Sequence, residues 1–468
     1  MERFNWECKS SPLPLRAQVW IVGNRLELFM SQIIEPRVLK GFRDILPDQQ
    51  HERQRVVRIL EGTVESYGFV SIDTPILEYA DVLLGKGGGE TDKQVYRFAD
   101  QGGRDVAMRF DLTVPFARFM AAHRHEIALP FRRYHVGKAF RGENPQRGRY
   151  REFMQCDFDI VGTDAVAADL EIVLLINSVF EAMGVGKVTI HVSHRGLFNA
   201  LLSMLSVEDR IVDVLRTVDK LRKIGKEKVR SILTDLIGTE ATDAVVRFIT
   251  STGDNATILS SLRSLVPAGT EHVDRLQRIL EIAEAVDASE RIRIDPAITR
   301  GLDYYTGIVF ETFLDDLPEI GSVCSGGRYD NLASLYSKER MPGVGASVGM
   351  DRLMAALEEL GVAGDHGSGA DTLIVCLDEE LAGTYQRIAK ELRACGLRTE
   401  VYPEARKLAQ QFAFAERRGI PTAVICGADE ASAGKVNVRE IATRESRDGL
   451  TVSESARVIS ELGGNGSA

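Results

Sequence analysis

The chain has 468 residues, 44% hydrophobic and 27% charged, with a formal net charge of −10. That length accommodates two or three domains, and no apolar run approaches the roughly 20 residues of a bilayer-spanning helix. The acidic balance argues against a chain that coats nucleic acid over its whole surface, although a local basic face can exist within it. Six scattered cysteines with no CxxC pair favour a reducing cytoplasm and no structural metal.

In chain order, residues 1–29 carry Pro12, Pro14 and a short apolar stretch at 19–22 without sustained periodicity. The expectation is a disordered extra segment, with Met30 as the natural start. From 30 onward a helix is predicted over 48–66, closed by Tyr67-Gly68, followed by a strand at 69–72 that Pro75 ends. Strands are predicted at 104–110, 131–140 and 151–161. The last two flank Gly142, Asn144, Pro145 and Gly148, the composition of a turn, so they form a long antiparallel hairpin. Residues 131–151 are also the basic stretch of the chain, with Arg132, Arg133, Lys138, Arg141, Arg147, Arg149 and Arg151 against Glu143 alone.

An amphipathic helix is predicted over 165–184. Leucine, isoleucine and valine then recur at helical spacing through 196–288, which reads as an inserted helical domain between halves of one domain at 30–195 and 289–360. Its run of Lys220, Arg222, Lys223, Lys226, Lys228 and Arg230 suits either a solvated helix face or an RNA phosphate contact. Strands return at 291–294, 308–313 and 323–325, and a glycine-rich strand runs into a helix over 343–357. A glycine-rich linker at 361–370 precedes alternating strands and helices at 371–463, the pattern of a small α/β domain with a mostly parallel sheet.

There is no GxxxxGK[ST] loop and no GxGxxG after a first strand. The run Gly85-Lys86-Gly87-Gly88-Gly89-Glu90 reads as a loop or lid rather than a phosphate cradle. If ATP binds, arginines on an antiparallel sheet must hold it. Three segments supply them: the helix and strand ending at Pro75, the hairpin 140–153 with Arg141, Glu143 and Arg149, and the strand–helix segment 343–353 with Arg352. Together and in this order they resemble the three motifs of class II aminoacyl-tRNA synthetases. In that class the first builds a dimer interface, the second grips the α-phosphate and adenine, and the third meets the γ-phosphate.

Two further stretches narrow the resemblance. Residues 297–311, with Arg300-Gly301-Leu302-Asp303-Tyr304-Tyr305-Thr306-Gly307, and 325–330, with Gly326-Gly327-Arg328-Tyr329-Asp330, are similar to the two histidine-specific motifs of histidyl-tRNA synthetases. Without that resemblance Tyr304 and Tyr305 read equally as core aromatics. The implied fold is a class II antiparallel sheet flanked by helices, with a helical insertion and a C-terminal α/β anticodon-binding domain. The implied partners are ATP with Mg²⁺ on its phosphates, L-histidine, tRNA(His) and a second copy of the chain.

Imidazole offers one N–H donor and one lone-pair acceptor, so a selective pocket needs a fixed acceptor and a fixed donor. Asp159 suits the first and Tyr305 the second. Asp111 and Gln155, with Leu112, Thr113 and Tyr329 alongside, suit the rest of the amino acid and its ammonium group. The histidine carboxylate is already ionised at pH 7, so activation needs alignment and charge neutralisation rather than a general base. Arg141 and Arg300 are the candidates for that work, with Glu143, Arg149 and Arg352 holding the rest of ATP.

The sequence departs from the bacterial pattern of the family in a few places. Asp111 and Asp159 stand where many bacterial members have glutamate. In the C-terminal domain Arg439, Glu440 and Ser446 replace residues of the usual anticodon motif. The competing reading is a non-catalytic relative, the regulatory subunit of ATP phosphoribosyltransferase, which typically lacks the C-terminal domain and parts of both histidine motifs.

Overall fold

The computed structural model describes residues 3–7, 16–22, 25–31, 34–85, 94–298, 305–362 and 369–463. Residues 1–44 form one compact unit and 45–468 another. In the first, β1 (Arg3–Glu7), β2 (Arg16–Val22) and β3 (Arg25–Ser31) make an antiparallel meander. This differs from the disorder expected for 1–29. Pairing of Val19 with Leu28 and of Ile21 with Leu26 gives the short apolar stretch a cross-strand partner that a periodicity search along the chain does not reveal.

The second unit begins with α1 (Pro47–Ser66), which has proline in its first turn and ends at Tyr67, ahead of Gly68 at φ +78. Val56, Leu60 and Val64, spaced four apart, bury one stripe of it. β4 (Val70–Ser71) follows. A three-stranded antiparallel sheet, absent from the sequence expectations, is then built from β5 (Leu77–Tyr79), β6 (Arg97–Ala99) and β7 (Asp105–Met108), with α2 (Ala80–Leu84) after β5. After α3 (Thr113–Ala122) come β8 (Phe131–Phe140) and β9 (Glu152–Val161), paired in register as the expected hairpin, and then α4 (Val166–Ala182) and β10 (Val188–His194).

Between β10 and Ile292 the chain is helical. This stretch comprises α5 (Arg195–Met204), α6 (Ile211–Val218), α7 (Leu221–Ile224), α8 (Lys226–Ile237), α9 (Thr239–Ile249), α10 (Asn255–Leu265) and α11 (Thr270–Glu284). Its buried residues, among them Val214, Leu233, Phe248 and Leu276, join the same hydrophobic core as Phe158, Ile172 and Phe180 of the sheet domain. In its basic run, Arg222 bonds Asp295 and Arg230 pairs with Asp243, whereas Lys223, Lys226 and Lys228 are exposed.

The chain then adds β11 (Ile292–Ile294), β12 (Ile308–Leu314), β13 (Cys324–Tyr329), β14 (Gly343–Gly349) and α12 (Met350–Leu360). The result is an eight-stranded sheet of order β11-β10-β12-β13-β14-β9-β8-β4, antiparallel from β10 through β8 and parallel at its two edges.

The C-terminal domain has β15 (Thr372–Ile374), α13 (Ala382–Ala394), β16 (Thr399–Val401), α14 (Leu408–Arg417), β17 (Thr422–Ile425), α15 (Ala428–Ala433), β18 (Val436–Glu440), β19 (Ser446–Leu450) and α16 (Val452–Gly463). Its sheet is mixed rather than mostly parallel. β16, β15 and β17 run parallel, but β18 and β19 add an antiparallel hairpin.

Candidate active site

Side chains alternate across a strand, and β9 uses both of its faces. Cys156, Phe158 and Ile160 enter the hydrophobic core under α1 and α4. Gln155, Asp157 and Asp159 point the other way and are also buried, at 9%, 2% and 3% exposure. Sheet register brings matching positions alongside: Arg133 and His135 of β8 lie opposite Asp159 and Asp157, and Gly345 and Ser347 of β14 lie opposite the same two acids. A side chain at 345 would overlap the Asp159 carboxylate, and one at 327 would come within 3.0 Å of the Tyr305 ring, so glycine leaves the floor open at both.

The polar groups here are tied to one another. Tyr329 donates its hydroxyl to Asp159 Oδ1 (2.6 Å), and Gln155 Nε2 donates to Ser347 Oγ (2.6 Å). Thr113 Oγ1 lies 3.4 Å from Asp157 Oδ2, and Asp111 Oδ1 accepts from the Val114 amide at 3.0 Å, at the start of α3. The fully buried Arg133 sits 2.6 Å from Asp159 Oδ2 and 3.9 Å above the Phe116 ring centroid.

Burial pushes Asp157 up to about 7, with the Arg133 charge pulling it down and Asp159 adding to the rise. Burial likewise raises Asp159, opposed by Arg133 and the Tyr329 hydroxyl. The Tyr305 hydroxyl is held far above its usual range by burial and then by Asp159, Asp157 and Asp111. His135 falls to about 4, through burial and the neighbouring Arg133 and Arg109 charges, and is neutral at pH 7. Asp157 and Asp159, with Asp111 close to Asp157, give this part of the site an acidic lining that suits a cationic guest.

At the Gln155 end the charge changes sign. Arg141 donates Nε to the Phe110 carbonyl (2.9 Å), and its guanidinium lies 5.0 Å from the Phe153 ring centroid, one position along this face from Gln155. Arg352, at the start of α12, donates to the Ser322 carbonyl. It is lowered to about 10 by burial and then by Arg149, with Glu311 and Glu143 raising it and Arg141 lowering it. Arg141, Arg149, Glu143 and Glu311 thus all lie close enough to act on Arg352.

A family model described as histidyl-tRNA synthetase matches residues 41–353, and an anticodon-binding domain model matches 371–462. The chain belongs to the histidyl-tRNA synthetase family. It is 51% identical over 397 residues to a histidine–tRNA ligase of Treponema denticola, covering 84% of this chain and 89% of that one. It is 46% identical over 422 residues to one of Rhodopirellula baltica, covering 89% and 96%. A crystal structure of histidyl-tRNA synthetase from Nostoc sp. PCC 7120 superposes with a TM-score of 0.82 at 31% identity, covering 92% of this chain and all of that one. The class II synthetase fold expected from the sequence is therefore the fold of this chain, and the regulatory-subunit alternative is not favoured.

Of the residues singled out in the sequence, Asp111, Thr113, Gln155, Asp159, Tyr305 and Tyr329 lie near one another or near Asp157, and Arg141, Glu143 and Arg149 lie near Arg352. Leu112 is wholly buried between Asp111 and Thr113. Arg300 and Tyr304 lie outside the described residues, as do Lys86–Gly89 of the glycine-rich loop and most of the 361–370 linker. Sequence reasoning missed Asp157, Arg133 and Ser347. For Asp157 the signal was present: it continues the alternation Gln155, Asp157, Asp159 on a strand already identified. Arg133 was counted as surface charge, and only the pairing of β8 with β9 turns it inward.

Proposed function

We propose that this chain, a histidine–tRNA ligase, holds histidine along the inward face of β9, with the imidazole toward Asp159 and the carboxylate toward Arg141. The observation that carries the reading is the order of groups on that face: Asp159, Asp157, Gln155, then the Phe153 ring under the Arg141 guanidinium. The ring N–H donates to Asp159, and Tyr305 answers the other ring nitrogen. Asp111, Thr113 and Gln155 take the ammonium, with Asp157 between the two ends.

ATP lies over Arg141, Glu143, Arg149 and Arg352. The histidine carboxylate oxygen attacks the α-phosphorus, the bond to pyrophosphate breaks, and Arg141 and Arg300 offset the charge that gathers on the α-phosphoryl oxygens. A Mg²⁺ ion carried on the triphosphate would supply charge to offset that of the phosphates. Glu143 and Glu311 are oxygen donors of the kind it takes, and they stand beside Arg352. The 3′-hydroxyl of the tRNA terminal ribose then attacks the activated carbonyl carbon and AMP departs.

The C-terminal domain supports contact with the anticodon arm of tRNA(His), with Arg439 of β18 stacked 4.8 Å from the Phe412 ring centroid. A homodimer is supported by the edge position of β4, with Val70 exposed on it, and by the exposed Ile76, Leu77, Tyr79 and Phe98 in and beside the β5–β7–β6 sheet. No helix among the described residues is long and apolar enough to cross a membrane, and a cytoplasmic location fits the unpaired cysteines. Histidine-dependent ATP–pyrophosphate exchange tests the reading. Exchange with histidine alone among the amino acids supports it, and absence of exchange with intact histidine binding contradicts it.

A further inference from the structure

We propose that Arg133 is a positioning residue for histidine, holding the Asp159 carboxylate in the orientation that accepts the imidazole N–H. This rests on the assignment of Asp159 to the imidazole, and it assigns a part to a residue of β8 that touches no substrate. Arg133 is 0% exposed and lies directly opposite Asp159 in the β8–β9 register, 2.6 Å from Oδ2. Its guanidinium plane rests on the Phe116 ring, which fixes its height above the sheet. Tyr329 holds the other oxygen, Oδ1. With one oxygen held by charge and the other by a hydroxyl, the carboxylate has a single orientation.

The pair is poorly arranged as a structural brace. Although the ions are close, they are not aligned as a hydrogen bond, and none of the three guanidinium nitrogens has an aligned hydrogen-bond acceptor among the described residues. A buried arginine placed for stability alone would have its donors answered. What this placement does achieve is electrostatic. The charge lies under both Asp159 and Asp157, and it opposes the effect of burial on each of them. An aspartate is also one methylene shorter than a glutamate, so its carboxylate reaches less far into the pocket and depends more on what holds it.

Among the described residues the groups facing Asp159 are Arg133 from β8, Asp157 from β9, Tyr329 from β13 and Tyr305 ahead of β12, while Asp111 ahead of α3 and Arg109 just after β7 act on Asp157, and neutral His135 lies beside Arg133. Arg133 is the cation set against Asp159. Its removal leaves the carboxylates to ionise at higher pH.

The test is steady-state ATP–pyrophosphate exchange with Arg133→Met, Asp159→Asn and the double variant. Arg133→Met is expected to raise the histidine KM about 100-fold and leave the ATP KM within about twofold. The acid limb of kcat/KM for histidine moves to higher pH. In the Asp159→Asn background the same substitution adds less than about threefold, because the group through which it acts is gone. Equal rises in both KM values without a pH shift, or the full 100-fold loss in the Asn background, overturn the inference while leaving Asp159 in place. An unchanged histidine KM in Asp159→Asn overturns the assignment of Asp159 itself, and the inference with it. If Arg133→Met does not fold, Arg133→Lys keeps the charge and loses the fork. It is expected to raise the histidine KM about tenfold, and no rise overturns the proposal.

Discussion

Two buried arginine–aspartate pairs meet at the segment 325–330, one through its Arg328 and the other beside its Tyr329, and they are built differently. In one, Arg328 donates Nε and Nη2 to Asp169 Oδ1 (2.9 and 2.6 Å) and Nη1 to the Thr163 carbonyl, while Arg275 of the helical insertion donates Nε to Asp169 Oδ2 at 2.7 Å. Both aspartate oxygens are answered and each nitrogen of Arg328 has an acceptor. In the other, Arg133 and Asp159 are as close and as buried, yet the arginine makes no aligned hydrogen bond. Burial alone does not separate structural from functional charge in this fold. Completeness of hydrogen bonding does: the satisfied pair ties the insertion to the sheet, and the unsatisfied one lines the pocket.

The comparison breaks first at Asp169. Asp169→Ala leaves Arg328 buried without its partner and is expected to cost about 3–5 kcal/mol of stability, read as a large drop in Tm. In protein that remains folded, the histidine KM changes little. Arg141→Ala is the mirror experiment. Its expected effect is a loss of about 10²–10³ in kcat for exchange with Tm unchanged, because its guanidinium is half-buried and braced only at Nε. A large Tm loss in Arg141→Ala, or an unaltered Tm in Asp169→Ala, removes the distinction.

Legibility in the sequence follows the same division. The long hairpin was readable because alternation and turn residues are local signals, and β8 falls on the expected residues. Gln155 and Asp159 could be singled out because they alternate on a strand already identified, and Asp111 and Tyr329 because they fall in or beside motif segments. Arg133 was not, since its direction depends on a register set by a strand about 25 residues away in the chain. In the small sheet, β7 falls within the strand predicted at 104–110, but β5 and β6, of three residues each, were missed, and with them the sheet. β19, Ser446–Leu450, was missed because it is almost wholly exposed and has no apolar alternation.

A subtler effect separates the two regions by their protons. Asp157 is raised to about 7, so near neutral pH it is part protonated in the free protein. A bound ammonium favours its ionised form, so histidine binding at pH 7 is expected to release up to about half a proton. Calorimetry in buffers of differing ionisation enthalpy measures this, and uptake in place of release contradicts it. In the free protein the same raised pKa makes ionisation of Asp157 destabilising. Its contribution to stability is therefore present below about pH 4 and declines as pH rises from there toward 7.

The smallest effect is expected at the partly exposed Arg398–Asp371 pair of the C-terminal domain. Arg398→Ala changes stability by less than about 1 kcal/mol and leaves histidine-dependent exchange intact. A greater loss shows that exposure is no guide to the weight of an ion pair in this domain.

The most direct test of the account is a crystal structure of the chain with a stable sulfamoyl analogue of histidyl-adenylate. The expected result places the imidazole N–H on Asp159, with Arg133 still behind that carboxylate, and the phosphate mimic within hydrogen-bonding distance of Arg141. An imidazole seated away from Asp159, or a phosphate mimic that Arg141 does not reach, contradicts the central claim.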